Sequence, residues 1–151
     1  MSIQFRFHPE KAVEAAAILL KLHREPMKYL GLLKMLYIAD RFALKHMEQP
    51  ITGDHYVSMK YGPVLSGVYD LIKGQAVEDA LPLWSKFISP PKNNFVSLIA
   101  DPGNEDLCEE EEETIQQFIK LVDILILLVL LSGLTNFQSG KILMARLSQF
   151  L

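Results

Sequence analysis

The segment 32–74 constrains the fold of this chain more than any other, because it joins an apolar helical pattern to a Gly-Pro turn and a second helical pattern. Apolar residues recur at helical spacing on one stripe, namely at Leu32, Leu36, Ala39 and Ala43. Basic residues gather on the other side, at Lys34, Arg41 and Lys45. The spacing predicts a packed amphipathic helix.

Asp40 interrupts the apolar side of this helix. The residues three and four positions away from it are Leu36, Tyr37, Ala43 and Leu44. Its carboxylate therefore leaves the helix close to apolar surface, and a buried carboxylate needs hydrogen-bond partners. A backbone amide or Lys60 could supply one.

Pro50 predicts that the helix ends near Met47, and a Thr-Gly-Asp turn follows at residues 52–54. Alternation over residues 56–61 predicts a strand that Gly62 and Pro63 end. Pro63 suits the first turn of a further helix, which runs through Ile72 to a stop at Gly74.

Outside this segment the patterns are simpler. Pro9 begins an amphipathic helix that ends near His23. Two apolar pieces, 83–88 and 95–100, flank a Pro-Pro-Lys-Asn-Asn loop and predict a β-hairpin. An acidic first turn predicts a helix over residues 109–120. The fold class expected is mainly α, a compact helical domain with a small β-hairpin.

The central motif resembles the Panacea domain of SocA-like antitoxins from bacterial and phage toxin-antitoxin systems. The resemblance is carried by Lys34, Leu36, Tyr37, Ala39 and Asp40, by residues 50–54, by Tyr56, by residues 60–64 and by residues 69–74. It extends over about residues 5–120, and we take residues 1–120 as the antitoxin domain.

The resemblance implies a protein without enzymatic activity that binds and neutralises a cognate toxin encoded by an adjacent gene. Two alternatives stay open: an adaptor that delivers a toxin or other client to a cellular protease, and a small hydrolytic or nucleotide-processing enzyme that uses Asp40 and His55. A tuned carboxylate near an imidazole suits acid-base chemistry, but no nucleophile pattern accompanies it. We therefore expect no catalytic residue.

The expected partner-binding surface centres on the Tyr-Gly-Pro-Val turn, because a stiff turn presents its side chains at low entropic cost. An alternative is that this turn is a buried corner between two elements. The residues assigned to this surface are Tyr37, Asp40, His55, Lys60, Tyr61, Gly62, Pro63, Val64, Tyr69 and Asp70.

Composition restricts the remaining classes of function. At 151 residues the chain can bury a core without disulfides or metal, and Cys108 is its one cysteine. The histidines lack paired ligand spacing and the glycines form no phosphate loop, so we expect no metal and no cofactor.

The net charge of -3 and the scattered basic residues argue against binding to nucleic acid. Polar residues near the start argue against a signal peptide, so a cytoplasmic location is expected.

The final stretch, 121–151, is atypical. Residues 124–131 read ILILLVLL, a run too short for a membrane span of about 20 residues. The Panacea family typically ends in a T-H-x-L-P-E-W signature that this frame lacks. Re-reading the codons of residues 134–150 one base out of frame, with allowed synonymous codons, can restore that ending. We hypothesise that the residues after about Lys120 are an out-of-frame ending.

Overall fold

Five helices and two antiparallel two-stranded sheets make up the part of the chain that the computed structural model describes, residues 6–23, 26–60 and 62–132. In chain order the elements are α1 (Pro9–His23), β1 (Met27–Lys28), α2 (Tyr29–Met47), β2 (Tyr56–Met59), β3 (Gly62–Leu65), α3 (Ser66–Ile72), α4 (Ala80–Phe87), β4 (Phe95–Val96) and α5 (Glu109–Ser132). The expected fold class, mainly α with a small β component, is confirmed.

Helix α2 is the centre of the core. It packs against α1, α3, α5 and strands β1 and β3. The residues of the predicted stripe, Leu32, Leu36, Ala39 and Ala43, are all buried, and burial extends beyond the stripe to Ile38 and Phe42. The predicted end is confirmed, since α2 ends at Met47 and Glu48 takes the left-handed conformation that closes a helix. Helix α1 spans Pro9–His23, as predicted.

The turn at Gly62 and Pro63 differs from the prediction. Instead of ending a strand and starting a helix, Gly62–Leu65 forms β3, which pairs with β2 in a hairpin. Helix α3 begins only at Ser66. Proline fits here because Pro63 faces Ser58 across the hairpin at a position where the ladder needs no N–H group.

The hairpin predicted over residues 83–100 is wrong in its first arm. Residues 83–87 belong to helix α4, in which Ala80 and Trp84 lie one helical turn apart and are both buried. Strand β4 pairs with β1 instead. A single bridge between Ile88 and Leu98 is what remains of the expected pairing.

Helix α5 begins at Glu109, as predicted, but continues to Ser132. The Glu111 carboxylate accepts a hydrogen bond from the Cys108 amide at 3.1 Å, which caps its first turn. Ile115, Phe118 and Val122 face the core. The following apolar side chains are exposed, including Ile124, Ile126, Leu127, Leu128 and Leu131. Among the described residues, no helix is long and apolar enough to span a bilayer.

Candidate partner-binding site

Asp40 has the hydrogen-bond partners that its position on α2 requires. Its Oδ1 accepts hydrogen bonds from the backbone amides of Ile51 at 3.2 Å and Thr52 at 2.9 Å. Its Oδ2 accepts one from the Thr52 hydroxyl at 2.5 Å. The residue is only 1% exposed. Of the two partners considered from the sequence, a backbone amide is confirmed.

The electrostatics of Asp40 follow from its burial. Loss of solvent raises the pKa of its carboxyl to about 6. The hydrogen bonds from Thr52 and Ile51 favour the charged form and oppose this rise, while the nearby charge of Asp54 adds to it. The carboxylate therefore serves as a buried anchor for the loop.

Asp54 organises the other end of the same loop. Its Oδ1 accepts hydrogen bonds from the amides of His55 at 2.8 Å and Gly67 at 3.0 Å, and its Oδ2 accepts one from Val68 at 2.9 Å. These bonds satisfy amides in the first turn of α3. Burial raises the pKa of the Asp54 carboxyl. A Cβ on Gly67 would lie 2.7 Å from the Asp54 Oδ1, so the carboxylate depends on a glycine there.

The N-terminal segment crosses this loop at close range. The His8 amide donates a hydrogen bond to the Thr52 carbonyl at 2.7 Å. Gly53 has a φ of +74°, and a Cβ at this position would lie 2.2 Å from the carbonyl oxygen of Arg6. Both the backbone conformation and the close approach therefore require glycine.

Lys34 attaches α2 to the Gly-Pro turn. Its Nζ donates a hydrogen bond to the Pro63 carbonyl at 2.8 Å, and burial lowers the pKa of its ammonium. Gly62 has a φ of +110°, and a Cβ there would lie 2.9 Å from the Lys34 Nζ. Helix α2 thus holds the loop through Asp40 and the hairpin through Lys34.

An aromatic contact joins the hairpin to the same helix. The rings of Tyr37 and Tyr56 meet edge to face with centroids 5.0 Å apart. Burial raises the pKa of the Tyr56 hydroxyl, and the neighbouring Arg41 side chain partly opposes this rise. Strand β2 is exposed along its whole length, whereas Val64 and Leu65 of β3 are buried.

The residues that the sequence assigned to the surface differ in their burial. Tyr37, Asp40 and Val64 are buried, and Gly62 and Pro63 lie partly buried in the turn. His55 and Lys60 are exposed. Tyr61 lies outside the described residues. The assigned residues thus include both exposed and buried positions.

Tyr69 and Asp70 lie apart from the others, half-buried on α3. The Lys73 Nζ is 5.8 Å from the centre of the Tyr69 ring and 4.4 Å from that of Tyr29. These contacts join α3 to the start of α2.

Sequence reasoning did not assign several residues that build this region. They are Lys34, Thr52, Asp54, Gly67, Val57 and Met59. The capping role of Asp54 could not be found from a local signal, because the amides of Gly67 and Val68 that it accepts from lie 13 and 14 positions away. Among the described residues, no cluster of His, Cys, Asp or Glu is placed to hold a metal ion.

A helical domain with a hairpin fixed on its central helix is the class that this geometry defines. A family model described as antitoxin SocA-like, Panacea domain, matches residues 32–123. The match covers more than half of the chain, and the chain belongs to this family. No curated protein and no solved structure matches it.

Proposed function

We propose that the chain is an antitoxin that neutralises a cognate toxin by direct binding, through a surface centred on the hairpin β2–β3. Membership of the SocA-like Panacea family supports the antitoxin class. The observation that carries the direct-binding mechanism is the exposed hairpin strand β2.

Strand β2 exposes apolar side chains on a well-supported scaffold. Tyr56, Val57 and Met59 are 41%, 42% and 38% exposed. Tyrosine and methionine are enriched at protein interfaces, and exposed apolar side chains gathered on one element mark interaction sites. The contacts of Lys34 and Tyr37 hold the hairpin in place, so little conformational entropy would be lost on binding.

The position of Asp40 supports a binding function over a catalytic one. Its oxygens accept three hydrogen bonds from the chain's own loop, and it is almost fully buried. A general acid or base must reach its substrate directly or through one water. We therefore assign Asp40 to positioning the loop and hairpin, and not to contact with the toxin.

The exposed members of the predicted site complete the proposed surface. His55 and Lys60 flank β2 in sequence and are both exposed. Tyr69 and Asp70 on α3 stay in the proposal as peripheral contacts. Tyr61 also remains part of it, as a prediction from the sequence.

Co-expression with the product of the adjacent gene tests this function. Growth rescue with a stable complex that copurifies would support the proposal. Rescue confined to protease-competent cells, without a stable complex, would point to the protease adaptor instead. Turnover of a substrate by the purified chain alone would contradict the proposal and favour the enzyme.

We further propose that the antitoxin domain ends near residue 120 and that residues 121–151 are an out-of-frame family ending. The exposed apolar run after Val122 and the end of the family match at residue 123 support this. Sequencing the coding DNA tests it. A frame that no single-base shift converts into the T-H-x-L-P-E-W ending would refute it.

A further inference from the structure

The pairing of β2 with β3 determines which backbone groups of β2 face away from the hairpin. The register is Tyr56 with Leu65, Val57 with Val64, Ser58 with Pro63 and Met59 with Gly62. Hydrogen-bonded and non-hydrogen-bonded pairs alternate along an antiparallel ladder. Contacts of the neighbouring residues show which of these four pairs are hydrogen-bonded.

Two observations identify the hydrogen-bonded pairs. The Ser66 amide donates a hydrogen bond to the His55 carbonyl at 2.8 Å, so residues 55 and 66 form a hydrogen-bonded pair. Pro63, which has no N–H group, lies opposite Ser58, and its carbonyl bonds Lys34 on the far side of the hairpin. The hydrogen-bonded pairs are therefore those of Val57 and Met59, while Tyr56 and Ser58 direct their N–H and C=O groups outward.

Within the part of the chain that the structure describes, this outward side of β2 is an unpaired strand edge. The sheet has two strands, and β3 occupies the other side of β2. Among the described residues, no hydrogen bond reaches the outward N–H and C=O groups of Tyr56 and Ser58. An edge with unpaired backbone groups is a template for a further strand.

We infer that this unpaired edge of β2 binds an extended segment of the toxin by strand addition, an inference that rests on the proposed antitoxin function. The outward groups of Tyr56 and Ser58 would bond the backbone of the added strand. The exposed side chains of Val57 and Met59 on one face, and of Tyr56 on the other, would contact its alternating side chains.

The charges around this edge select an acidic segment. The Nε of Arg41, beside Tyr56, is buried and has no hydrogen-bond partner among the described residues. Lys60 follows directly after β2. The two carboxylates in this region, Asp40 and Asp54, are buried and bonded to backbone amides. The positive charges of the partly buried Arg41 and of Lys60 would attract a carboxylate on the toxin segment near Tyr56.

Replacing Ser58 tests the edge without breaking the hairpin. Ser58→Pro removes an outward N–H and leaves the bonds of Val57 and Met59 intact, whereas Ser58→Thr keeps the N–H. Binding of the purified product of the adjacent gene should weaken roughly ten- to hundredfold for Ser58→Pro and by less than about twofold for Ser58→Thr. Equal affinity of a folded Ser58→Pro variant would overturn the inference.

Hydrogen exchange of the unaltered chain gives a second readout that does not depend on the variant's folding. The amides of Tyr56 and Ser58 should exchange fast in the free protein and become protected in the complex, while those of Val57 and Met59 are protected in both. A complex that forms without protecting Tyr56 and Ser58 refutes strand addition but leaves the antitoxin function standing. Absence of any complex refutes both strand addition and the proposed antitoxin function. If the amides of Tyr56 and Ser58 become protected in the free protein as its concentration rises, a second copy of this chain occupies the edge and the inference is overturned.

Discussion

Asp40 and Thr52 are joined by two hydrogen bonds, one from the Thr52 amide at 2.9 Å and one from its hydroxyl, although the two residues lie on different elements. Through these bonds α2 positions the loop at residues 50–54. Asp54 in that loop accepts hydrogen bonds from the amides at the start of α3. Two buried carboxylates, Asp40 and Asp54, therefore connect α2, this loop and α3, and Lys34 holds the hairpin between them.

Asp40→Asn should destabilise the fold. The amide keeps one acceptor but cannot accept from both the backbone and the Thr52 hydroxyl, and we expect a loss of roughly 1–3 kcal/mol in the free energy of unfolding. Urea titration measures it. Asp79→Asn makes the same change at an exposed helix start and should cost less than about 0.5 kcal/mol. Equal effects of the two variants would contradict the anchoring role of Asp40.

The stability that depends on Asp40 should vary with pH in a defined direction. Because the folded pKa of about 6 exceeds the unfolded value of 3.8, the folded chain holds this proton more tightly. The contribution is present at low pH and is lost as pH rises through 6. Asp40→Asn should therefore cost more at pH 5 than at pH 7.5. A cost that grows with pH would show that the carboxylate is stabilised in its charged form.

Gly67→Ala should be costly although it lies in a helix, where alanine is normally favoured. The added methyl would lie 2.7 Å from the Asp54 Oδ1 and would displace the carboxylate from the amides it caps. We expect a loss of about 1–2 kcal/mol, measured by thermal unfolding. Gly31→Ala is the matched control, because its Cβ would meet only the Met27 side chain at 3.6 Å, and it should stabilise by roughly 0.5–1 kcal/mol. The prediction fails if both changes stabilise.

Glu14 should make a second pH-dependent contribution to the free energy of unfolding. It is 3% exposed, and its carboxylate accepts hydrogen bonds from the amides of Asp106 at 3.0 Å and Leu107 at 3.4 Å. Burial, and next the Asp106 side chain, raise the pKa of Glu14 to about 7. The folded state therefore binds more protons between pH 4.5 and 7, and stability should fall as pH rises across that range.

Comparing Glu14→Gln with Glu10→Gln isolates this contribution. Glu10 is exposed on the same helix. The Glu14 variant should flatten the profile of unfolding free energy against pH by on the order of 1 kcal/mol, and the Glu10 variant should leave it unchanged. A profile that Glu14→Gln does not alter would show that this carboxyl does not titrate in the range.

The apolar run at the end of α5 should promote self-association without stabilising the fold. Ile124 and Leu128 are each 55% exposed and lie one helical turn apart. Replacing both by lysine should lower aggregation, seen by light scattering, and change the free energy of unfolding by less than about 0.5 kcal/mol. Ile99→Lys, at an exposed site away from α5, is the control. A loss above roughly 2 kcal/mol would instead show that this face is packed.

Local patterns predicted the long elements well and the short ones poorly. The bounds of α1 and the end of α2 followed from Pro9, from helical spacing and from Pro50. Strand β3 was missed because Pro63 has the same preferred φ at a helix start as on an outward strand position. Only the pairing with β2, which is tertiary information, separates the two.

The burial of Asp40 and its need for a backbone partner could be inferred from its apolar neighbours. Its actual partners, Ile51 and Thr52, could not, because 11 and 12 positions separate them from it and the loop between has no regular period. The exposure of both faces of β2 could not be inferred from the sequence either. Alternation shows that two faces differ, and here neither face of β2 is buried.

The affinity of a hairpin variant for the toxin shows whether β2 is the binding surface. Val57→Asp places a charge on the exposed face of β2, and Ile99→Asp places one at a comparably exposed apolar site elsewhere. Titration calorimetry with the purified toxin should give a Kd raised at least about thirtyfold for Val57→Asp and changed less than about twofold for Ile99→Asp. If both variants, folded as the parent is, bind with the parent's affinity, the hairpin is not the toxin-binding surface.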